Sequence, residues 1–141
     1  SAFDMARALA LGADWCNSAR GFMFALGCIQ AQTCHTGNCP TGVTTQDPQR
    51  QMALVVPSKA ERVHQFHAHT LEALQELMQA SGLHKPSDIT PRHIMRRVSE
   101  RQTLHLSELV DTVATGALLQ ADLSALPPVY QDWPQASAAR F

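Results

Sequence analysis

The sequence has little net charge, no long apolar run and few aromatics, and each shortage removes a class of function. Eleven Lys and Arg against twelve Asp and Glu leave a formal net charge of −1, and aromatics make up 6% of the residues. A nucleic-acid binder needs a basic stripe with interleaved aromatics, and none is present. The apolar stretches are broken by Gly or charge well short of the ~20 residues that a bilayer crossing requires. No membrane span is therefore expected, and a cytoplasmic setting is. Nothing reads as a signal peptide, so the cysteines are not expected to form a disulfide framework. There is no internal repeat. With 141 residues, 45% of them hydrophobic, the chain can bury one modest core.

What is present is a concentration of sulfur. Three of the four cysteines, Cys28, Cys34 and Cys39, fall within twelve residues. Thiolates are the soft ligands that iron–sulfur clusters and zinc take, and Gly37 and Asn38 give the loop a tight tip that can fold them toward one centre. Pro40 stiffens the exit. The spacing misses the paired cysteines of zinc sites and the ferredoxin patterns for four-cysteine clusters, so three ligands are the simplest count. Ordinary buried free thiols are the alternative. Cys16 could be a fourth ligand, but its apolar surroundings suit a small buried hydrophobe better.

In chain order, Ser1 to Leu11 reads as a helix, with Ser1 and Asp4 as a capping box, Phe3, Ala6, Leu9 and Ala10 near one face, and Gly12 as the stop. Ala13 to Ala19 reads as a short buried strand, and Gly21 to Gly27 as the next helix. Ser18, Ala19 and Arg20 then lie at a strand-to-helix junction. Such a junction attracts anions, because the first helical amides lack internal partners and Arg20 adds a fixed positive fork, although Ser-Ala-Arg-Gly taken alone is a weak signal and reads rather as an ordinary surface arginine. The eight residues from Arg20 to Cys28 span about 12 Å as a helix. Thr41 to Pro57 reads as loop. Ser58 and Glu61 suggest a capping box for a long helix ending at Gly82, with Val63, Phe66, Thr70, Leu71, Leu74, Leu77 and Met78 as its stripe. His64, His67 and His69 complete no zinc motif and are expected to face solvent or be hydrogen-bonded, and His35 to sit at the surface or hydrogen-bond toward a cluster. A short helix is expected from Pro91 to about Val98 and another within Leu104 to Leu119. Arg92, Arg96, Arg97 and Arg101 read as a solvated face.

Residues 10 to 48, from Ala-Leu-Gly-Ala-Asp-Trp-Cys through Cys-Ile-Gln-Ala-Gln-Thr-Cys-His-Thr-Gly-Asn-Cys-Pro to Thr-Thr-Gln-Asp-Pro, closely resemble the C-terminal end of the FMN-binding synthase domain of glutamate synthases. They look most like the shorter FMN proteins of that family that lack a glutaminase domain. The likeness is specific over residues 1 to about 80 and looser beyond. It implies a (β/α)8 barrel carrying FMN and a 3Fe-4S cluster, with Cys28, Cys34 and Cys39 as the cluster's ligands and Ser18, Ala19 and Arg20 on the FMN phosphate. A complete barrel takes about 250 residues, so the expected fold is a piece of one. That piece is mostly α with one short strand, namely helix 7, strand 8 and helix 8 plus a helical extension. The expected divisions are 1–48 for the barrel end, 49–122 for the helical extension and 123–141 for an extended or disordered tail. The implied function is glutamate formation from 2-oxoglutarate and an amino donor, by electron transfer through the cluster and FMN, with no activity expected of the piece alone. Neither a 2-oxoglutarate site nor a glutaminase nucleophile is visible. Implied partners are the rest of the barrel and an electron donor such as ferredoxin or a reductase subunit. A homo-oligomer is also possible, because uncovered apolar helix faces favour association. The other function class is a small non-enzymatic module binding an iron–sulfur cluster or zinc without flavin.

Overall fold

In a computed structural model, which describes residues 1–119, 122–133 and 137–139, Ser1 begins the first helix as its spacing to Asp4 predicts. The Ser1 hydroxyl accepts from the Asp4 amide (3.3 Å) and donates to the Asp4 carboxylate (2.8 Å). This capping box opens α1, Ala2–Ala10. The buried face keeps Ala6 and Ala10 of the predicted set and adds Ala2, while Leu9 is half-buried and Phe3 is 49% exposed. Small residues four apart let a neighbouring helix come close, whereas a phenylalanine at that seam would hold it away.

The described residues are mostly helical, with one short two-stranded sheet. They divide into two compact units, Ser1–Thr90 and Pro91–Phe141. In the first, α1 is followed by α2 (Arg20–Leu26), α3 (Pro48–Gln51) and α4 (Val56–Ala80). The long α4 packs against both α1 and α2. It buries Leu74 and Met78, while Leu71 and Leu77 of the expected stripe are 43% and 38% exposed. The α2 contact is aromatic: Phe22 meets Phe66 edge to face, with ring centroids 5.1 Å apart and planes at 77°. Replacing Phe66 by Ala removes that pair and part of the apolar seam. For these half-buried rings the expected loss is about 2 kcal/mol, read as a lower thermal midpoint, and an unchanged midpoint would show that the seam contributes nothing.

Two expectations in this unit are corrected. The strand predicted over Ala13–Ala19 does not form, and Trp15 within it is 79% exposed. A strand exists through its ladder of hydrogen bonds to a neighbour, and among the described residues this segment has none. The capping box of Ser58 and Glu61 is also absent, since α4 starts at Val56 and its N-terminal flank is Val55, three residues before Ser58 and without a side-chain cap. Pro57 belongs to the first turn, where its missing N–H costs no hydrogen bond. The expected loop from Thr41 holds apart from α3, whose Asp47 side chain caps the Gln49 amide at 2.9 Å.

The second unit departs further from expectation. Pro91–His93 makes one 3₁₀ turn, but the chain then straightens into β1 (Met95–Arg97), antiparallel to β2 (Thr103–His105), with Arg96 opposite Leu104. The Leu106 amide donates to the Ile94 carbonyl at 2.8 Å, so an acceptor that a continuing helix needs is taken by the partner strand. The helix expected within Leu104–Leu119 is likewise replaced by β2 and two 3₁₀ turns, Leu106–Glu108 and Ala117–Leu119. Ile94, Leu106, Ala117 and Leu123 are buried here. Part of the expected tail is ordered: α5 (Pro128–Gln131) carries Tyr130, whose hydroxyl donates to the Asp111 carbonyl at 3.0 Å. Residues 134–136 and 140–141 of that tail lie outside the described residues.

Candidate functional site

Helix α2 sets the site's geometry because one feature of interest lies at each of its ends. Its N-terminal flank, Ala19, makes no side-chain cap. The first internal bond is from the Met23 amide to the Ala19 carbonyl (3.0 Å), so the amides of Arg20, Gly21 and Phe22 have no acceptor within the helix. Gly21 sits where α4 crosses, and a Cβ there would lie 2.7 Å from the Phe66 ring. At the other end Gly27, at φ +110°, takes the left-handed conformation that stops the helix and delivers Cys28 as the next residue.

From Cys28 the loop winds back on itself. Cys34–Thr36 forms a single 3₁₀ turn ended by Gly37. Threonines hold it: Thr36 donates to the Thr33 carbonyl (2.8 Å), Thr33 to the Asn38 carbonyl (3.3 Å), and Thr45 to the Gly37 carbonyl. Short α3 buttresses the outside through Gln51, which donates to the Thr45 carbonyl at 2.8 Å, and through Arg50, which reaches the Asn38 carbonyl at 3.5 Å. Gly42 is required at the crossing, since at φ +78° a Cβ would collide with the Arg50 carbonyl oxygen.

The three cysteines of the sequence motif line one crevice, together with Met23, Ile29, Pro40, Val43 and Thr44. Cys28 and Cys34 also face a larger cavity of about 320 Å³, which Ala19, Arg20, Met23 and Phe24 line from α2. That places Ala19 and Arg20 with two of the cysteines; Ser18, exposed, is not among these lining residues. Cys16 lies apart, half-buried, with its sulfur 4.0 Å from the Met5 carbonyl of α1. His35, His64, His67 and His69 are exposed. Among the described residues no three His, Cys, Asp or Glu side chains gather as a metal-ion site.

The crevice wall favours negative sulfur. Cys39 is buried, and its thiol is pulled down from an ordinary 9.0 to about 6. The largest cause is the Thr41 hydroxyl 3.5 Å away, followed by the Thr44 and Thr41 backbones. The Thr44 side chain makes a smaller contribution in the same direction. The Gln30 amide points to the Cys28 sulfur at 3.5 Å. The threonines were not singled out by sequence reasoning. Their abundance after Cys39, Thr41-Gly-Val-Thr44-Thr45, was the available signal.

Residues 1–84 match the family described as a conserved region in glutamate synthase. The chain belongs to the glutamate synthase family. It is 42% identical over 106 residues to the glutamate synthase large subunit-like protein YerD of Bacillus subtilis, covering 75% of this chain and 20% of that protein. It is 28% identical over 128 residues to the ferredoxin-dependent glutamate synthase 1 of Arabidopsis thaliana, covering 87% of this chain and 8% of that one. The large chain of the NADPH glutamate synthase of Azospirillum brasilense is 29% identical over 107 residues, 75% of this chain and 7% of its own. This glutamate synthase family chain thus spans a fifth or less of these relatives' lengths. No solved structure matches it. No helix among the described residues is long and apolar enough to cross a membrane.

Proposed function

We propose that this chain is the cofactor-holding C-terminal part of a cytoplasmic glutamate-synthase-like oxidoreductase that forms glutamate from 2-oxoglutarate and an amino donor, using FMN and a 3Fe-4S cluster. One observation carries the reading: Ala19 and Arg20 at the start of α2 and Cys28 just past its end open into a single cavity that Cys34 also lines. In this reading α1, the extended segment 13–19 and α2 are helix 7, strand 8 and helix 8 of a (β/α)8 barrel, and the other barrel strands supply the ladder that segment 13–19 lacks here. Residues 49–122 follow as an extension, helical through α3 and α4 and carrying β1, β2 and 3₁₀ turns beyond them.

The residues present suit both groups. The Arg20 guanidinium and the three free amides of the first turn form a donor set for a phosphate. Thiolates, not thiols, bind iron, and Thr41 holds Cys39 toward that form. Cys28, Cys34 and Cys39 line one crevice and would hold a cluster there through their three thiolates. When bound, FMN supplies hydride chemistry and the cluster single-electron transfer. Met23, shared by cavity and crevice, makes part of the partition apolar. The electron donor is a ferredoxin or a reductase subunit.

The test joins the chain to the rest of its barrel, purified without oxygen, and supplies 2-oxoglutarate, a chemically reduced ferredoxin, and glutamine or ammonium. Glutamate is the expected product. FMN and iron bound, yet no glutamate from either nitrogen source, would overturn the substrate assignment.

A further inference from the structure

Among the described residues only two that are not glycine have a positive φ, Gln30 at +57° and Gln32 at +56°. Both lie in the short stretch between Cys28 and Cys34. Left-handed backbone is uncommon for a residue with a long side chain, and where it persists it concentrates at ligand clamps. The stretch is also a partition. Ile29 and Ala31 line the cysteine crevice, Gln30 lines the Arg20 cavity, and Gln32 borders both. Apolar and amide residues thus alternate, and both glutamines line the cavity that Arg20 heads.

We infer that Gln30 and Gln32 bind the hydroxyl-bearing chain that adjoins the phosphate of the ligand in the Arg20 cavity, so that the two glutamines read the ribityl portion of FMN. This rests on the flavin reading above. A carboxamide offers both a donor and an acceptor, and a sugar-alcohol hydroxyl needs one of each, so the chemistry matches a polyol better than a flat ring. Met23 and Phe24 give the same cavity its apolar surface.

Glycine is the informative replacement, because it adopts a positive φ without strain and removes only the side chain. Gln30→Gly and Gln32→Gly are made in the chain joined to its barrel, and FMN, riboflavin and lumiflavin are titrated by flavin fluorescence. Loss of a neutral hydrogen bond should weaken FMN and riboflavin alike by about two- to tenfold in each variant. Lumiflavin, which has no ribityl chain, should bind both variants as it binds the wild type. Unchanged FMN and riboflavin binding would overturn the inference and leave the flavin reading standing, and equal weakening of lumiflavin would also overturn it by pointing to general loosening. A wild type that binds none of the three would overturn the flavin reading and this inference with it.

Discussion

Replacing Cys28, Cys34 or Cys39 singly by Ser is expected to empty the protein of most of its iron and acid-labile sulfide when the chain, joined to its barrel, is purified without oxygen. Serine keeps the size of the side chain but not the soft, readily ionised sulfur that iron takes, so the variants test ligation rather than packing. The three positions differ in surroundings: Cys39 is buried against Thr41, Cys28 is half-buried and Cys34 exposed. An equal loss from all three would therefore reflect a shared cluster and not a shared degree of burial. Cys16→Ser is the control, because that sulfur packs on α1 away from the crevice. Iron retained in all three variants would end the ligand assignment. Iron lost as severely from Cys16→Ser would make it a fourth ligand.

Arg20→Ala should weaken FMN binding by about ten- to hundredfold, the cost of one or so charge-assisted hydrogen bonds at roughly 1.5 to 3 kcal/mol each. The effect should be selective for phosphate. Riboflavin, which lacks the phosphate, is expected to bind the variant and the wild type equally, and the two flavins together separate a lost contact from a damaged fold. Arg20 is exposed and takes no part in the Phe22–Phe66 pair, so its removal should leave that packing in place. Untouched FMN affinity, or an equal weakening of riboflavin, would assign the arginine to the scaffold.

How much of this was legible in the sequence depended on how local the cause was. The Ser1 cap and the stops at Gly12 and Gly82 are each decided within one helical turn, and the structure shows them where the residues predict, while α2 begins one residue before the expected Gly21 and ends at Gly27. The apolar run Ala13–Ala19 has the composition of a strand, but pairing is a property of the neighbour. The stretch Leu104–Leu119 shows the opposite failure: Leu106, Leu109, Val110 and Val113 have helical spacing, yet Thr103–His105 pairs with Met95–Arg97 across a turn that no Gly or Pro announces. In the site, the cysteines stood out by spacing alone. The groups that shape their crevice did not, because Thr45, Arg50 and Gln51 act through contacts six or more residues away. The left-handed Gln30 and Gln32 also carried no signal, since glutamine has no preference for that conformation.

Helix α2 also acts as a gauge block. It is seven residues long, closed at one end by Gly27 and pinned at its middle by Phe22 against α4. One residue inserted between Arg20 and Cys28 would lengthen it by only ~1.5 Å, but would swing one end about 100° around the axis relative to the other. The guanidinium and the first sulfur would then look toward different sides of the molecule. A gap or an insertion in this stretch is therefore far more damaging than most substitutions in it, and the count of residues between Arg20 and Cys28 is itself part of the site.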